Sequence, residues 1–530
     1  MSFLKNHSDE VLIASIIGAL GVLIGTFFWI VFDRASLLQT VSKAGTIGTA
    51  RESASLPSAE RPAGQTTLEI LGDTFSGYST FRNADFQAAL AAAGIELTYA
   101  DEFDQAARSQ LLSSGEVGLM VTTLDQFLQH QPAGKIVGLI DRTVGADAIV
   151  LNSQQYPELT SLTKLAPLIQ QARQQGKSLS IAFAADTPSE YLALVLDTKF
   201  ESFNLEDFKL LPLADASEVW QRMQEPQQDI AIGVLWEPFI TQASQQGNAV
   251  LFSSQDAPQA IIDVVVAADT LLESNPEAVS TFLETYYRRI DASVQDADLL
   301  KAQIAADGEL SDDEAATIID GIEFFTAVEA QRWLTDGTLD RRIEATAAVL
   351  ALTGRINTVP RDTAALISDE PIKIAARNSR MLAEMLENTP EIADRLLGEG
   401  QTVAVRPSTA GRDIGNLQVQ GRITFEVGTA QLAGDSQKTL NQLAQQIKEF
   451  NPATTAVKVI GHTSNSGSPE RNLQLSQQRA QTVANYLRQQ QVTHQLLVEG
   501  KGTSQPLPNL SPKDAANQRT EIRLVRLNEQ

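Results

Sequence analysis

Val459–Leu487 reads VIGHTSNSGSPERNLQLSQQRAQTVANYL: the end of an apolar strand, a polar loop rich in Gly and Ser, then a long helix. Outward from it, RITFEV and a helix over Ser436–Phe450 precede AVKVIGH, while a helix over Asn472–Gln490 leads to QLLVEGKG and TEIRLVRL. That βαβαββ order predicts a mixed sheet with two helices on one face. Residues 418–530 hold 12 Lys+Arg against 8 Asp+Glu, whereas the whole chain of 530 residues carries a formal charge of -24. A mildly basic domain thus follows a strongly acidic one.

ITFEVGTAQL, the quoted loop and helix, VEGKGTSQP and NQRTEIRL together resemble the OmpA-like peptidoglycan-binding domain family over its whole length. The resemblance implies that a GHTD loop and the arginine of an N-x-x-L-S-x-x-R-A helix clamp diaminopimelate in a peptide stem, aspartate on the ammonium and arginine on the carboxylate. Arg479 matches that arginine, with Asn472, Leu475, Ser476 and Ala480 in register; Gly461, His462 and Thr463 match the loop, but Ser464 stands where the family has aspartate. Losing that carboxylate removes a charge-assisted bond of roughly 1.5–3 kcal/mol, a tenfold to hundredfold loss of affinity. Asn465 offers a neutral oxygen next door, and Arg519 is a second candidate for the carboxylate. Two uses stay open: weakened peptidoglycan contact, or a structural or protein-docking role.

Upstream, short apolar runs alternate with helical patterns. LEILG (Leu68–Gly72), IELTYA, VGLMVT (Val117–Thr122), KIVGLI (Lys135–Ile140), DAIVLN (Asp147–Asn152), SLSIAF (Ser178–Phe183), DIAIGVL (Asp229–Leu235) and AIIDVVVAA (Ala260–Ala268) read as strands. A mixed, mostly parallel sheet covered on both faces is expected. Ligands gather at strand C-termini in such sheets, which makes candidates of Asp73, Thr74 and Ser76; Thr122 and Thr123; Asp141 and Arg142; and Thr187 and Ser189. Each also suits a turn or a cap. In DTPSEYLALVL, Pro188, Ser189 and Glu190 open a helix whose free N–H groups suit an anion. Trp236 and Glu237 follow a buried strand, an aromatic wall and an acid at the sheet edge.

GLIDRTVGADAIVLN, TPSEYLALVL and DIAIGVLWEPFITQA, in that order, resemble periplasmic substrate-binding proteins of the sulfonate, nitrate and thiamine-precursor ABC transporter group. The implied fold is the two-lobed type II binding protein, crossed twice between lobes, with the crossings placed near Asn152–Pro157 and Ser254–Ala260. The convergence of strand-end loops, the free N–H groups after Pro188 and the Trp236 wall lead to the expectation of a small anionic or zwitterionic solute between the Thr74–Ser76, Asp141–Arg142 and Ser189 loops and Trp236, with an ABC permease as a further partner. The loop GDTFSGYSTFRN departs from that family, so no ligand is carried over; Arg82 and Arg142 could neutralise an anion or simply lie at the surface. The acidic DGELSDDE lacks the alternate spacing of a calcium loop, and Ser311 with Glu314 reads as a capping box.

Val11–Phe32 runs 22 residues without a charge, enough to cross a bilayer, and no small-x-small cleavage site stands close behind it. Flanking charge leans mildly against export of the C-terminal part, yet both resemblances are to exported domains. The expected organisation is a cytoplasmic N-terminus (1–10), a transmembrane anchor (11–32), a flexible tether (33–65), a solute-binding region (66–388; lobe 1 at 66–153 and 260–388, lobe 2 at 154–259), a linker (389–417) and the OmpA-like domain (418–530). The expected localisation is a single pass of the cytoplasmic membrane with the bulk periplasmic.

Net negative charge argues against nucleic acid, zero Cys removes thiolate chemistry, and four scattered His support no metal or triad. No cofactor and no enzyme activity are expected. Rivals are an envelope scaffold with an inactive binding fold, favoured by a filled cleft, and a stator-like channel subunit, which needs a carboxylate that the span lacks.

Overall fold

The computed structural model describes residues 66–386, 388–398 and 410–527. The expected anchor at Val11–Phe32 and the tether at 33–65 lie outside the described residues; among these no helix is long and apolar enough to cross a membrane.

The middle region builds two sheets. In chain order its strands are β1 (Thr66–Gly72), β2 (Ile95–Asp101), β3 (Leu119–Thr123), β4 (Gly134–Thr143), β5 (Asp147–Leu151) and β6 (Ser180–Ala184). Then come β7 (Lys209–Leu213), β8 (Ile230–Trp236), β9 (Ala249–Ser253), β10 (Ile262–Ala268) and β11 (Ile322–Phe324). The first sheet has the order β11-β4-β10-β3-β1-β2, the second β7-β6-β8-β5-β9. Every residue of β3, β5, β6 and β10 is buried, which is why these segments read as unbroken apolar runs: helices cover both faces.

The expectation of mostly parallel sheets needs correction. Pairings β1–β2, β1–β3, β6–β7 and β6–β8 are parallel, but β10 pairs antiparallel with β3 and β4, β5 with β8 and β9, and β11 with β4. The strands that receive the chain after it crosses, β5 and β10, make four of these antiparallel pairings. The first crossing also moves. β4 ends at Thr143 in the first sheet and β5 begins at Asp147 in the second, so the chain crosses in 144–146, ahead of Asn152–Pro157. DAIVLN carries no mark of which sheet it joins. The return lies between Ser253 and Ile262 and contains the expected Ser254–Ala260.

Aromatic rings pack lobe 1, with Phe81 stacked 5.0 Å from Tyr286 and 5.7 Å from Phe282. The capping box forms: the Ser311 N–H donates to Glu314 over 2.9 Å and Ser311 Oγ accepts from the Glu314 N–H.

In the C-terminal region β12 (Ala410–Asn416), β15 (Thr455–His462), β16 (Gln495–Gly502) and β17 (Thr520–Leu527) form one sheet in the order β12-β17-β15-β16. The short strands β13 (Thr424–Phe425) and β14 (Leu432–Ala433) pair only with each other. RITFEV is therefore not the first strand of the sheet. That place belongs to AGRDIGN, inside the expected linker 389–417, whose other end forms a helix over Pro390–Leu396. Helices Ser436–Ile447 and Pro469–Gln489 complete the domain.

This domain packs against lobe 2. Phe200 and Leu417 form an antiparallel bridge, and Phe200, Phe252 and Phe450 meet with centroids 6.0–6.1 Å apart. Glu449 takes Lys199 of lobe 2 at 3.0 Å and Arg342 of lobe 1 at 3.9 Å.

Candidate functional site

The hinge-side end of lobe 1 brings together strand-end groups from distant sequence. Asp141 sits on β4 and Asp263 faces it across a bulge on β10; Thr123 is the register partner of Asp263 on β3, and Asp73 ends the β1 turn. Asp125 follows β3 in the first turn of the helix Leu124–His130. From lobe 2 come Asp147, the first residue of β5, and Ser189 and Glu190 in the first turn of the helix Pro188–Lys199. Ser189 Oγ donates to Asp147 over 2.7 Å. Tyr78 donates its hydroxyl to Asp263, and Gly77 lies so close to Asp141 that an added Cβ would collide with its carboxylate. Arg355 of lobe 1 pairs with Glu190 of lobe 2, which ties the lobes together.

Burial governs the charge state of this set. It pushes Asp141 up to about 8 and Asp125 and Asp147 up to about 6, and it raises Asp263 well above the carboxylate range, with neighbouring Asp141 adding to the rise. A buried carboxyl pair holds a proton because two charges side by side in low dielectric repel.

The sequence-predicted residues divide. Thr122, Asp141 and Ser189 are buried between strand ends, and the Thr122 hydroxyl donates to Gln105 over 3.0 Å. Thr74 is exposed and Ser76 half-buried on the loop after β1. Arg142 is bound by Glu323 at 2.6 Å and Glu329 at 2.9 Å, and Arg82 by Asp307, so neither guanidinium is free for an anion. Trp236 packs on the lobe 2 core, while Glu237 caps the helix Phe239–Gln245 through Thr241 and lines a separate groove of about 540 Å³ against Arg412 and Arg526. Sequence reading missed Tyr78, Asp125, Asp147 and Asp263. The signal for Asp263 was available: a lone carboxylate inside the apolar run AIIDVVVAA.

In the C-terminal domain, Arg479 is buried beneath the polar loop. Its Nε donates to Thr429 O over 2.9 Å, its Nη1 to Gln518 Oε1 over 3.3 Å, and its guanidinium lies 4.9 Å from the Phe425 ring. Gln518 Nε2 in turn donates to Ser464 Oγ over 3.3 Å. Loop and helix residues are thus joined through a glutamine that sequence reading missed. Thr463 and Asn472 are buried nearby, with Thr463 Oγ1 and Asn472 Nδ2 unpartnered. Asn465 is exposed, and Arg519 is held by Glu521 at 2.6 Å and by Gln505 O. Burial works to raise Glu521, but His462 and Arg519 beside it hold it down at about 2.

Residues 424–520 match the model of the OmpA family. This stretch is an OmpA domain. Among curated relatives, the probable lipoprotein YiaD of Escherichia coli (strain K12) is 34% identical over 137 residues, covering 25% of this chain and 59% of that protein. Outer membrane protein A of Shimwellia blattae is 29% identical over 169 residues, covering 25% of this chain and 70% of that one. Solved structures similar to the chain include the periplasmic aliphatic sulphonate binding protein SsuA from Escherichia coli (15% identity, TM-score 0.43, 56% of this chain, 95% of that one). The periplasmic nitrate-binding protein NrtA from Synechocystis PCC 6803 (13%, 0.45, 62%, 91%) and the desulfurization enzyme DSZB (12%, 0.41, 60%, 100%) are also similar. Two sheets joined by two crossings give the region before the OmpA domain a two-lobed architecture.

Proposed function

We propose that the chain binds a small solute between the lobes of its middle region and contacts peptidoglycan through the OmpA domain. In this reading Val11–Phe32 anchors it in the cytoplasmic membrane with the remainder in the periplasm, and the solute is passed to a permease or sensed. One observation carries the solute half: Asp125 and Asp263 of lobe 1 and Asp147 and Ser189 of lobe 2, all at strand or helix ends, come together between two lobes joined by two crossings. Polar side chains brought together from two bodies at a hinge are what a closing cleft needs.

For the wall, Arg479 is the residue that receives a carboxylate of the peptide stem in this reading, and Ser464, in place of aspartate, offers the stem's ammonium no counter-charge. Native mass spectrometry of the purified chain for a co-purified small molecule tests the first half, and sedimentation with purified sacculi the second. A bound solute and Arg479-dependent sedimentation are the expected results.

The closed-off positions of Thr122, Asp141 and Ser189, at 0–1% exposure, favour a second reading, the envelope scaffold with a filled cleft. No co-purified molecule and no ligand-induced stabilisation would establish that reading. A ligand at a hundred times its Kd raises stability by about 2.7 kcal/mol.

A further inference from the structure

Six carboxyl groups meet where the lobes close: Asp73, Asp125, Asp141 and Asp263 from lobe 1, and Asp147 and Glu190 from lobe 2. Two have cationic partners, Asp73 with Arg108 at 3.0 Å and Glu190 with Arg355. The other four have none among the described residues. Their neutral partners are few. Asp147 accepts from Ser189, Asp263 from Tyr78, and Asp125 from Gln126 Nε2 over 3.2 Å. Both oxygens of Asp141 and Oδ1 of Asp125 have no N–H or hydroxyl within hydrogen-bond distance, which leaves Asp141 only the proton it shares with Asp263, although the side chains are 0% and 2% exposed.

The uncharged groups here do not supply the missing charge. Gln126 Oε1 is a buried acceptor without a partner, and the unpartnered hydroxyls of Thr123, Tyr191 and Tyr286 can donate but are neutral. A buried acceptor left unsatisfied costs about 1–3 kcal/mol, and more when charged. An anionic ligand adds acceptors and like charge. A protonated amine supplies three donors and the missing charge. A metal ion fits less well, because among the described residues no group of three His, Cys, Asp or Glu is arranged to hold one.

We propose that the solute taken between the lobes is a small amine, its ammonium group received by Asp141 and Asp263 of lobe 1 and by Asp147 of lobe 2. This rests on the solute-binding reading above and narrows its ligand class. In the amine's absence protons stand in for it: burial holds Asp141, Asp263, Asp125 and Asp147 in their neutral forms at pH values where free carboxylates are ionised. Binding therefore expels protons. Tyr78, Ser189, Tyr191, Tyr286, Arg108 on Asp73 and Arg355 on Glu190 are among the polar and charged groups packed against this set.

The test is calorimetric titration of the purified full chain at pH 7 with ethanolamine and 1,4-diaminobutane, against methanesulfonate and nitrate as ammonium-free anions. The expected result is binding of an amine alone, with heats that differ between buffers of different ionisation enthalpy because protons are released. Asp141→Asn and Asp263→Asn should each lower amine affinity at least tenfold, and Asp147→Asn supplies a variant in the other lobe should either fail to fold. Tighter binding of an anion, or amine binding unchanged in all folded variants, overturns the ligand class and leaves the solute-binding reading standing. Binding by neither set overturns both.

Discussion

The space between the lobes and the pocket under the OmpA loop show opposite deficits of charge. Between the lobes, Asp125, Asp141, Asp147 and Asp263 are buried without a cation; under the loop, Arg479 is buried, and Ser464 stands where the family places a carboxylate. A site short of cations favours a cationic ligand, whereas a site that has lost its anion keeps only half of a zwitterionic ligand. The same contrast governs pH response. Carboxyls held above their ordinary values make the native state bind more protons than the unfolded chain, so stability falls as pH rises from about 4, through 6, to about 8. In the OmpA domain burial lowers His494 to about 4, so the unfolded chain binds more protons between about 6.5 and 4 and stability falls on acidification.

The largest effect would come from cutting the packing that joins the two regions. Phe450→Ala removes a buried ring that touches Phe200 and Phe252, at about 3–5 kcal/mol. Denaturant unfolding should then show the OmpA domain melting ahead of the lobes, and a single transition with an unchanged midpoint would mean that the interface contributes nothing.

Next comes the charge contrast itself. Arg479→Ala should weaken sedimentation with sacculi tenfold to hundredfold, and Ser464→Asp should strengthen it by a similar factor. Equal binding by both variants would remove the OmpA pocket from the comparison.

A smaller change is expected from Asp141→Asn, which removes a carboxyl that must ionise in a buried place. Its melting temperature should exceed that of the parent at pH 8 and match it at pH 4. An equal difference at both pH values would show that packing, not charge, was altered.

The last is His494→Gln, expected to flatten the loss of stability between pH 6.5 and 4 while leaving the alkaline limb alone. Thermal melts across pH separate the two limbs, and movement of the alkaline limb would refute their separate origin.

Much of the architecture was legible because buried strands are written as apolar runs. DAIVLN, SLSIAF and DIAIGVL lie on β5, β6 and β8. What escaped were edge strands. KLLPL of β7 is mostly solvent-facing and contains Pro212, and AGRDIGN of β12 holds two glycines and two charges, so neither shows the pattern of a covered strand. That Thr463, Ser464, Asn472 and Arg479 lie close together beneath the OmpA loop was legible, because their spacing lies within one loop and one helix. Gln518 was not, since it arrives from the far end of the domain. Between the lobes Asp141 and Ser189 were named, but their surroundings depend on register between strands far apart in sequence, which no local pattern encodes. Arg142 shows the limit well: it neighbours Asp141 in sequence and points to Glu323 and Glu329 instead.

The docking of residues 416–418 on lobe 2 has a mechanical consequence. The Glu201 N–H bonds Asn416 O over 3.0 Å and the Gln418 N–H bonds Lys199 O over 2.8 Å, flanking the Phe200–Leu417 bridge. Two backbone bonds with a buried ring between them form a clasp. The docked segment thereby holds one end of the helix Pro188–Lys199, whose other end carries Ser189 and Glu190. The helix is a strut with its outer tip clasped to the OmpA domain and its inner tip bonded to Asp147 between the lobes.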